Sequence, residues 1–203
     1  MSDLHFDQVI GRKLLIVGDV GSGKTALTGR LLTEALAIFS PNYVTVIDMA
    51  PERRKFKGAI VGGRLTDLMR VPEGVLILRP TPSPVAPRLD GLTAGDVLRL
   101  AQSNHHAIDL VLAKYSADPT PILFMNDVSI YMQSGDLENL LTAIGYPKTV
   151  VMNSYLGIAL QDDRGSGVSQ HERNGLARLK TAVDEVVTLN TVPSPPLQPE
   201  MGM

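Results

Sequence analysis

With 203 residues, 44% of them hydrophobic, the chain carries enough apolar material for one sizeable core, so one domain is expected over residues 1–190, followed by a loose proline-bearing tail at 191–203. A formal net charge of −2 gives no broad basic surface for nucleic acid or an anionic membrane, so any such contact must be local. The absence of cysteine excludes disulfides, thiolate metal sites and cysteine nucleophiles; with no leader-like start and no long apolar run, the expectation is a cytoplasmic protein without membrane insertion.

Short apolar runs alternate with longer stretches of helical spacing, the pattern of an α/β fold with a parallel sheet and helices on both faces. Residues 13–17 read as a buried strand. Residues 24–39 read as a helix with Leu27, Leu31, Leu32, Ala35 and Ile38 on one face, and 43–47 as a second strand after the turn Ser40, Pro41, Asn42. Short strands are expected at 58–61 and 75–78. Across 79–92, Pro80, Pro82, Pro84 and Pro87 leave no room for a helix or central strand. Thr93 and Asp96 have capping-box spacing and open a helix towards residue 115, which Asp118, Pro119 and Pro121 end. A strand at 121–125 leads to Asn126 and Asp127, a short helix spans 136–144, and 149–152 is another strand. Ser169 and Glu172 form a second capping-box pair opening a helix to about residue 183, before a last strand at 184–189.

The run Gly18, Asp19, Val20, Gly21, Ser22, Gly23, Lys24, Thr25 satisfies the Walker A pattern, with a strand before it and an apolar-faced helix beginning at Lys24 and Ala26 behind it. The glycines let the backbone curl until successive N–H groups, aided by the helix N-terminus, point at phosphates. Lys24 then reaches the β- and γ-phosphates, and the Thr25 hydroxyl is placed for Mg²⁺. Residues 14–32 thus resemble the first strand–helix unit of the P-loop NTPase superfamily, which implies ATP and Mg²⁺ as ligands and a central parallel sheet.

Within that resemblance, two strands can supply the acid that holds the metal. If it is similar to the RecA-like and KaiC-like ATPases, 122–127 is the Walker B strand, Asp127 organises the metal and Asn153 senses the γ-phosphate. Glu52, just after the second strand, would then polarise the attacking water. If it is similar to the GTPase and MinD-like branches, Asp48 is the metal acid. Against this, Asp48 is followed by Met49, Ala50 and Pro51 rather than an Asp-x-x-Gly run, no Asn-Lys-x-Asp guanine-reading motif is present, and the MinD-like second lysine is missing. Asn126 at the usual acid position, with Asp127 where a glutamate base is usual, implies slow turnover.

Arg53, Arg54, Lys55 and Lys57 form a local basic patch that could meet phosphate, a nucleic acid strand or an acidic partner, or merely make a solvated turn. Arg64 and Arg70 could act as fingers in trans, and 162–167 as a mobile loop over the nucleotide. His105 and His106 have no metal-spaced partner and read as helix surface. The expected function is an ATPase driving a protein partner or its own homo-oligomer. The alternatives are a slow nucleotide-dependent switch and, further off, a small-molecule kinase.

Overall fold

The computed structural model describes residues 4–56 and 59–190. Its elements in chain order are β1 (Lys13–Gly18), α1 (Lys24–Ile38), β2 (Val44–Asp48), β3 (Arg54–Phe56), β4 (Ala59–Val61), β5 (Leu76–Leu78), α2 (Pro87–Asp90), α3 (Ala94–Ala117), β6 (Ile122–Asn126), α4 (Glu138–Ala143), β7 (Thr149–Tyr155), α5 (Val168–Lys180) and β8 (Glu185–Leu189). Strands pair in the order β5-β2-β6-β7-β1-β8, every pair parallel, while β3 and β4 form a separate antiparallel hairpin.

The strand side chains divide by the alternation of the pleat. Leu14 and Ile16 of β1, with Ile122 and Phe124 of β6, face α1, where Leu27, Leu31, Leu32 and Ala35 form one stripe. Leu15, Val17, Leu123 and Met125 face the opposite way, onto α3, α4 and α5. The near-continuous apolar runs of these strands are therefore what a sheet covered on both sides requires. Phe6 completes the α1 layer, stacked on Phe124 with ring centroids 5.9 Å apart.

The capping box expected at α3 is present: the Thr93 side chain accepts from the Asp96 N–H, and Asp96 accepts in return from the Thr93 N–H. Two expectations are corrected. The proline-rich stretch does hold a helical turn, α2, because Pro87 stands at its start, where the missing N–H would have no partner anyway. Ser169 and Glu172 do not cap α5. That helix begins at Val168 behind Gly167, Asp163 Oδ2 accepts from the Ser169 N–H at 3.0 Å, and Glu172 is occupied by other groups. Strand β7 also runs on to Tyr155, beyond the expected end at residue 152, because Asn153 and Ser154 are buried in it. The expected tail at 191–203 and Lys57 of the basic patch lie outside the described residues.

Candidate functional site

The C-terminal ends of β1, β6 and β7 open on one side of the sheet, where parallel α/β folds place their ligand crevices. Gly18 ends β1 and the next five residues turn sharply into α1. Gly21 and Gly23 hold φ of 74° and 88°, a left-handed backbone that a side chain at either position would strain. The Lys24 ammonium folds back over the loop and donates to the Asp19 carbonyl at 2.7 Å, with the Ser22 hydroxyl at 3.5 Å. Burial lowers its pKa, opposed by the charges of Asp127 and Asp19. A partly desolvated cation among N–H donors is a receptor for an anion.

One cleft is lined by Val20, Gly21, Lys24 and Thr25 from this loop, Asn126 and Asp127 from the end of β6, and Asn153 from β7. Ala26 lies in an adjoining recess with Gly23, Thr25 and Arg53. The Asp19 carboxylate faces elsewhere. It accepts from the N–H groups of Val20 at 2.7 Å, Ile158 at 2.9 Å and Ala159 at 3.4 Å, tying the loop after β7 to the phosphate loop. Gly157 sits so close that a Cβ there would stand 2.0 Å from Asp19 Cγ.

Asp127 follows β6 with φ of 59°, an uncommon conformation for a residue with a side chain. Its N–H donates to Asn153 Oδ1 at 3.0 Å, and its carboxylate accepts from the Ser129 hydroxyl. Burial pushes the Asp127 carboxyl above its ordinary range, while Ser129, Lys24 and Arg88 pull it back. Asn153 is fully engaged: its amide donates to Thr28 Oγ1 and to Asn126 Oδ1, each at 2.9 Å. Asn126 in turn donates to Asp48 Oδ1 at 2.8 Å and to the Gly63 carbonyl at 3.1 Å. This buried chain of amides locks α1, β7, β6 and β2 in register and leaves little freedom to the residues at the cleft floor.

Asp48 belongs to that chain and not to the cleft lining. Its Oδ2 accepts from the Leu65 N–H at 2.8 Å and its Oδ1 from Asn126; burial raises its pKa against these bonds and the nearby Arg79. β2 lies three places from β1 and β6 only two, which at about 4.8 Å per strand puts Asp48 the farther from the phosphate loop. Glu52 is also outside the cleft: its side chain is 80% exposed and pairs with Arg64 at 3.4 Å. Arg54 and Lys55 lie on hairpin strand β3, with Arg54 paired to Asp90 at 2.5 Å. Arg164 donates to the Gly91 carbonyl at 2.8 Å, which tethers the 162–167 loop to the end of α2.

Three further residues, none of them marked by the sequence pattern as a site residue, gather at or behind the cleft. Arg88 and Gln133 line it, and Glu172 stands behind them. Arg88 and Glu172 form a buried ion pair at 2.7 Å, and the Arg88 guanidinium carbon lies 5.2 Å from the Tyr155 ring centroid. Burial pushes the Glu172 carboxyl up to about 7, although Arg88 and Gln133 favour its charged form. Nothing in the local pattern marks Gln133.

Phosphate loop, helix and sheet together are those of the P-loop nucleoside triphosphatase fold. No family model matches the sequence, and no curated protein matches it. Among solved structures, the chain is similar to the flagellar accessory protein FlaH from Methanocaldococcus jannaschii, at 12% identity and a TM-score of 0.42, over 88% of this chain and 71% of that one. It is similar to the Pif1 helicase from Candida albicans at 14% identity and a TM-score of 0.37, over 91% of this chain and 37% of the helicase. Likeness to an ATPase from the type III secretion system of pathogenic bacteria is at 13% identity and a TM-score of 0.37, over 86% and 55% of the two chains. The chain thus spans little more than a third of the helicase and about half of the secretion ATPase. Among the described residues no helix is long and apolar enough to cross a membrane.

Proposed function

We propose that the chain binds ATP with Mg²⁺ in this cleft and hydrolyses the γ-phosphate, using binding or turnover to act on a protein partner or to control its own assembly, in the cytoplasm. One observation carries the reading: Lys24 at the start of α1 and Asp127 just beyond β6, opposite charges from separate elements, line the same cleft beside a curled glycine loop, and each feels the other's field. ATP is favoured over GTP because the guanine-reading motif is absent from the sequence.

No group of three or more acidic or histidine side chains capable of caging a metal is found among the described residues. That fits magnesium in such a site, which takes one carboxylate and a hydroxyl and leaves the remaining positions to phosphate oxygens and water. Thr25 and Asp127 are the residues that would hold it, and when bound it offsets the charge on the β- and γ-phosphates. The chain's own contribution is positional. Amides of the phosphate loop and the Lys24 ammonium fix the polyphosphate, while Asp127, held by Ser129 and by Asn153 through its N–H, lines the same cleft as Lys24.

A slow switch is the second reading, favoured by Asn126, whose amide is spent on structural bonds, and by Glu52 lying outside the cleft. Arg53, Arg54 and Lys55, at and beside β3, form a local basic surface for an acidic partner or nucleic acid strand, with Arg54 already paired to Asp90. Phosphate release from Mg-ATP by the wild type, Lys24→Ala and Asp127→Ala separates the readings. Turnover lost in both variants supports hydrolysis; tight binding with negligible turnover in the wild type supports the switch; no binding overturns both.

A further inference from the structure

Charge is unevenly shared along the chain: residues 53–79 hold seven basic side chains against two acidic ones, in a chain whose net charge is −2. Several of these cations are committed inside the protein. Arg54 pairs with Asp90 at 2.5 Å, Arg64 with Glu52 at 3.4 Å, and Arg79 donates to the Thr66 hydroxyl at 2.6 Å. Arg53 is different. It is exposed, has no partner among the described residues, and lines a recess of about 270 Å³ together with Gly23, Thr25 and Ala26.

The facing wall is apolar and its base is fixed. Ile60 and Leu68 line the recess while 43% and 51% exposed, and Asp67, the acid of the lining, accepts from the Arg64 N–H at 2.8 Å. The chain leaves β4 through Gly62 and Gly63, with φ of 72° and 121°, and a Cβ on Gly62 would stand 2.7 Å from the Glu52 carbonyl oxygen. Gly63 is pinned twice: its N–H donates to the Pro51 carbonyl at 3.0 Å, and its own carbonyl accepts from Asn126. A preformed recess of this kind costs a ligand little ordering.

An unpaired guanidinium between exposed apolar side chains fits a carboxylate flanked by apolar residues. A polynucleotide fits it poorly, because a strand is held by cations that track successive phosphates, and the neighbouring Arg54 and Arg64 are already held by carboxylates. We propose that this recess docks an acidic, apolar-flanked segment of a protein partner, its carboxylate paired with Arg53 and its apolar side chains laid on Ile60 and Leu68. Gly21, Lys24, Thr25, Ile60, Gly62 and Gly63 line both the recess and the phosphate cleft, so a docked carboxylate and a bound polyphosphate oppose each other as like charges at close range. By reciprocity, Mg-ATP weakens the segment by the factor with which the segment weakens Mg-ATP. The partner therefore prefers the nucleotide-free chain and promotes nucleotide release. This coupling, unlike the docking itself, rests on the ATP-binding reading above.

The test selects binders of the full chain from a random-peptide display library, with counter-selection on Arg53→Glu, and measures the enriched peptides by fluorescence anisotropy beside a labelled oligothymidine. Expected are peptides with aspartate or glutamate next to apolar residues, weakened about tenfold or more by Arg53→Glu and about fivefold or more by saturating Mg-ATP. Leu68→Ser, at a half-exposed position, is expected to weaken them about threefold and supplies a second, milder variant. Enriched peptides that lack acids, or equal binding by wild type and both variants, overturn the proposal. Tight oligothymidine binding that Arg53→Glu abolishes, with no acidic peptide enriched, overturns it in favour of a nucleic acid strand. Acidic peptides bound equally with and without Mg-ATP, by a chain that does bind Mg-ATP, overturn the coupling. A wild type that binds no Mg-ATP overturns the ATP-binding reading, while the docking still stands or falls by the two variants.

Discussion

Asp48 and Asp127 stand at the ends of two neighbouring strands, and burial pushes both carboxyls above their ordinary range. Their surroundings differ in one respect. Asp48 spends its oxygens on Asn126 and on the N–H groups of Leu65 and Ala50, inside the protein. Asp127 holds a left-handed backbone, has the Ser129 hydroxyl as its side-chain partner, and shares the cleft with Lys24. A raised carboxyl pKa therefore marks burial in both places and chemistry in only one. What separates them is whether an opposing charge and open space lie within reach.

The largest effects should fall on the two acids and in different quantities. Asp127→Ala is expected to lower phosphate release by about a hundredfold or more while leaving the melting temperature within a few degrees of wild type, since its carboxylate serves the cleft. Asp48→Ala leaves several buried donors unpaired and should cost about 2–3 kcal/mol of stability, read as a fall of about 4–12 °C in calorimetric melting, with activity retained in the folded fraction. Equal losses of activity at unchanged stability would erase the distinction between the two strand ends.

A pH series sharpens it further. The Glu172 carboxyl has a folded pKa of about 7 against an unfolded value of 4.5, so between those values the native state holds a proton that the unfolded state has released. Stability from this group is present in full below about pH 4.5 and is lost as the pH rises through about 7, by an amount on the order of 3 kcal/mol. Urea titrations at the two ends of that window should show this loss in the wild type and not in Glu172→Gln; an identical pH dependence in the two proteins would contradict it.

Smaller effects are expected away from the acids. Gly157→Ala must move either the Asp19 carboxylate or the loop after β7, and should weaken Mg-ATP binding by about threefold to tenfold, or roughly 1 kcal/mol. Thr93→Ala, which removes the cap of α3 far from any phosphate contact, should cost about 1 kcal/mol of stability and leave nucleotide affinity unchanged.

Much of the fold was legible because it rests on local regularities. The apolar runs of β1, β6 and β7, the helical stripe of Leu27, Leu31 and Leu32, and the Thr93–Asp96 box all follow from neighbours in sequence. The phosphate loop was legible for the same reason, its chemistry being packed into eight consecutive residues. Arg88, Gln133 and Glu172 were not, because they are drawn together from a proline-rich turn, a short 3₁₀ segment and the interior of α5. Glu172 shows the cause directly: its spacing from Ser169 is that of a helix cap, and a long-range pairing with Arg88 overrode the local pattern. Whether Asp48 or Asp127 faced the cleft depended likewise on strand order, which is set by the whole sheet.

Calorimetric titration of Mg-ATP into the wild type and into Lys24→Ala bears most directly on the phosphate cleft. The account predicts saturable one-site binding to the wild type and affinity weakened by at least about tenfold in the variant, with both proteins folded. No heat with the wild type, or identical isotherms for the two, would contradict it.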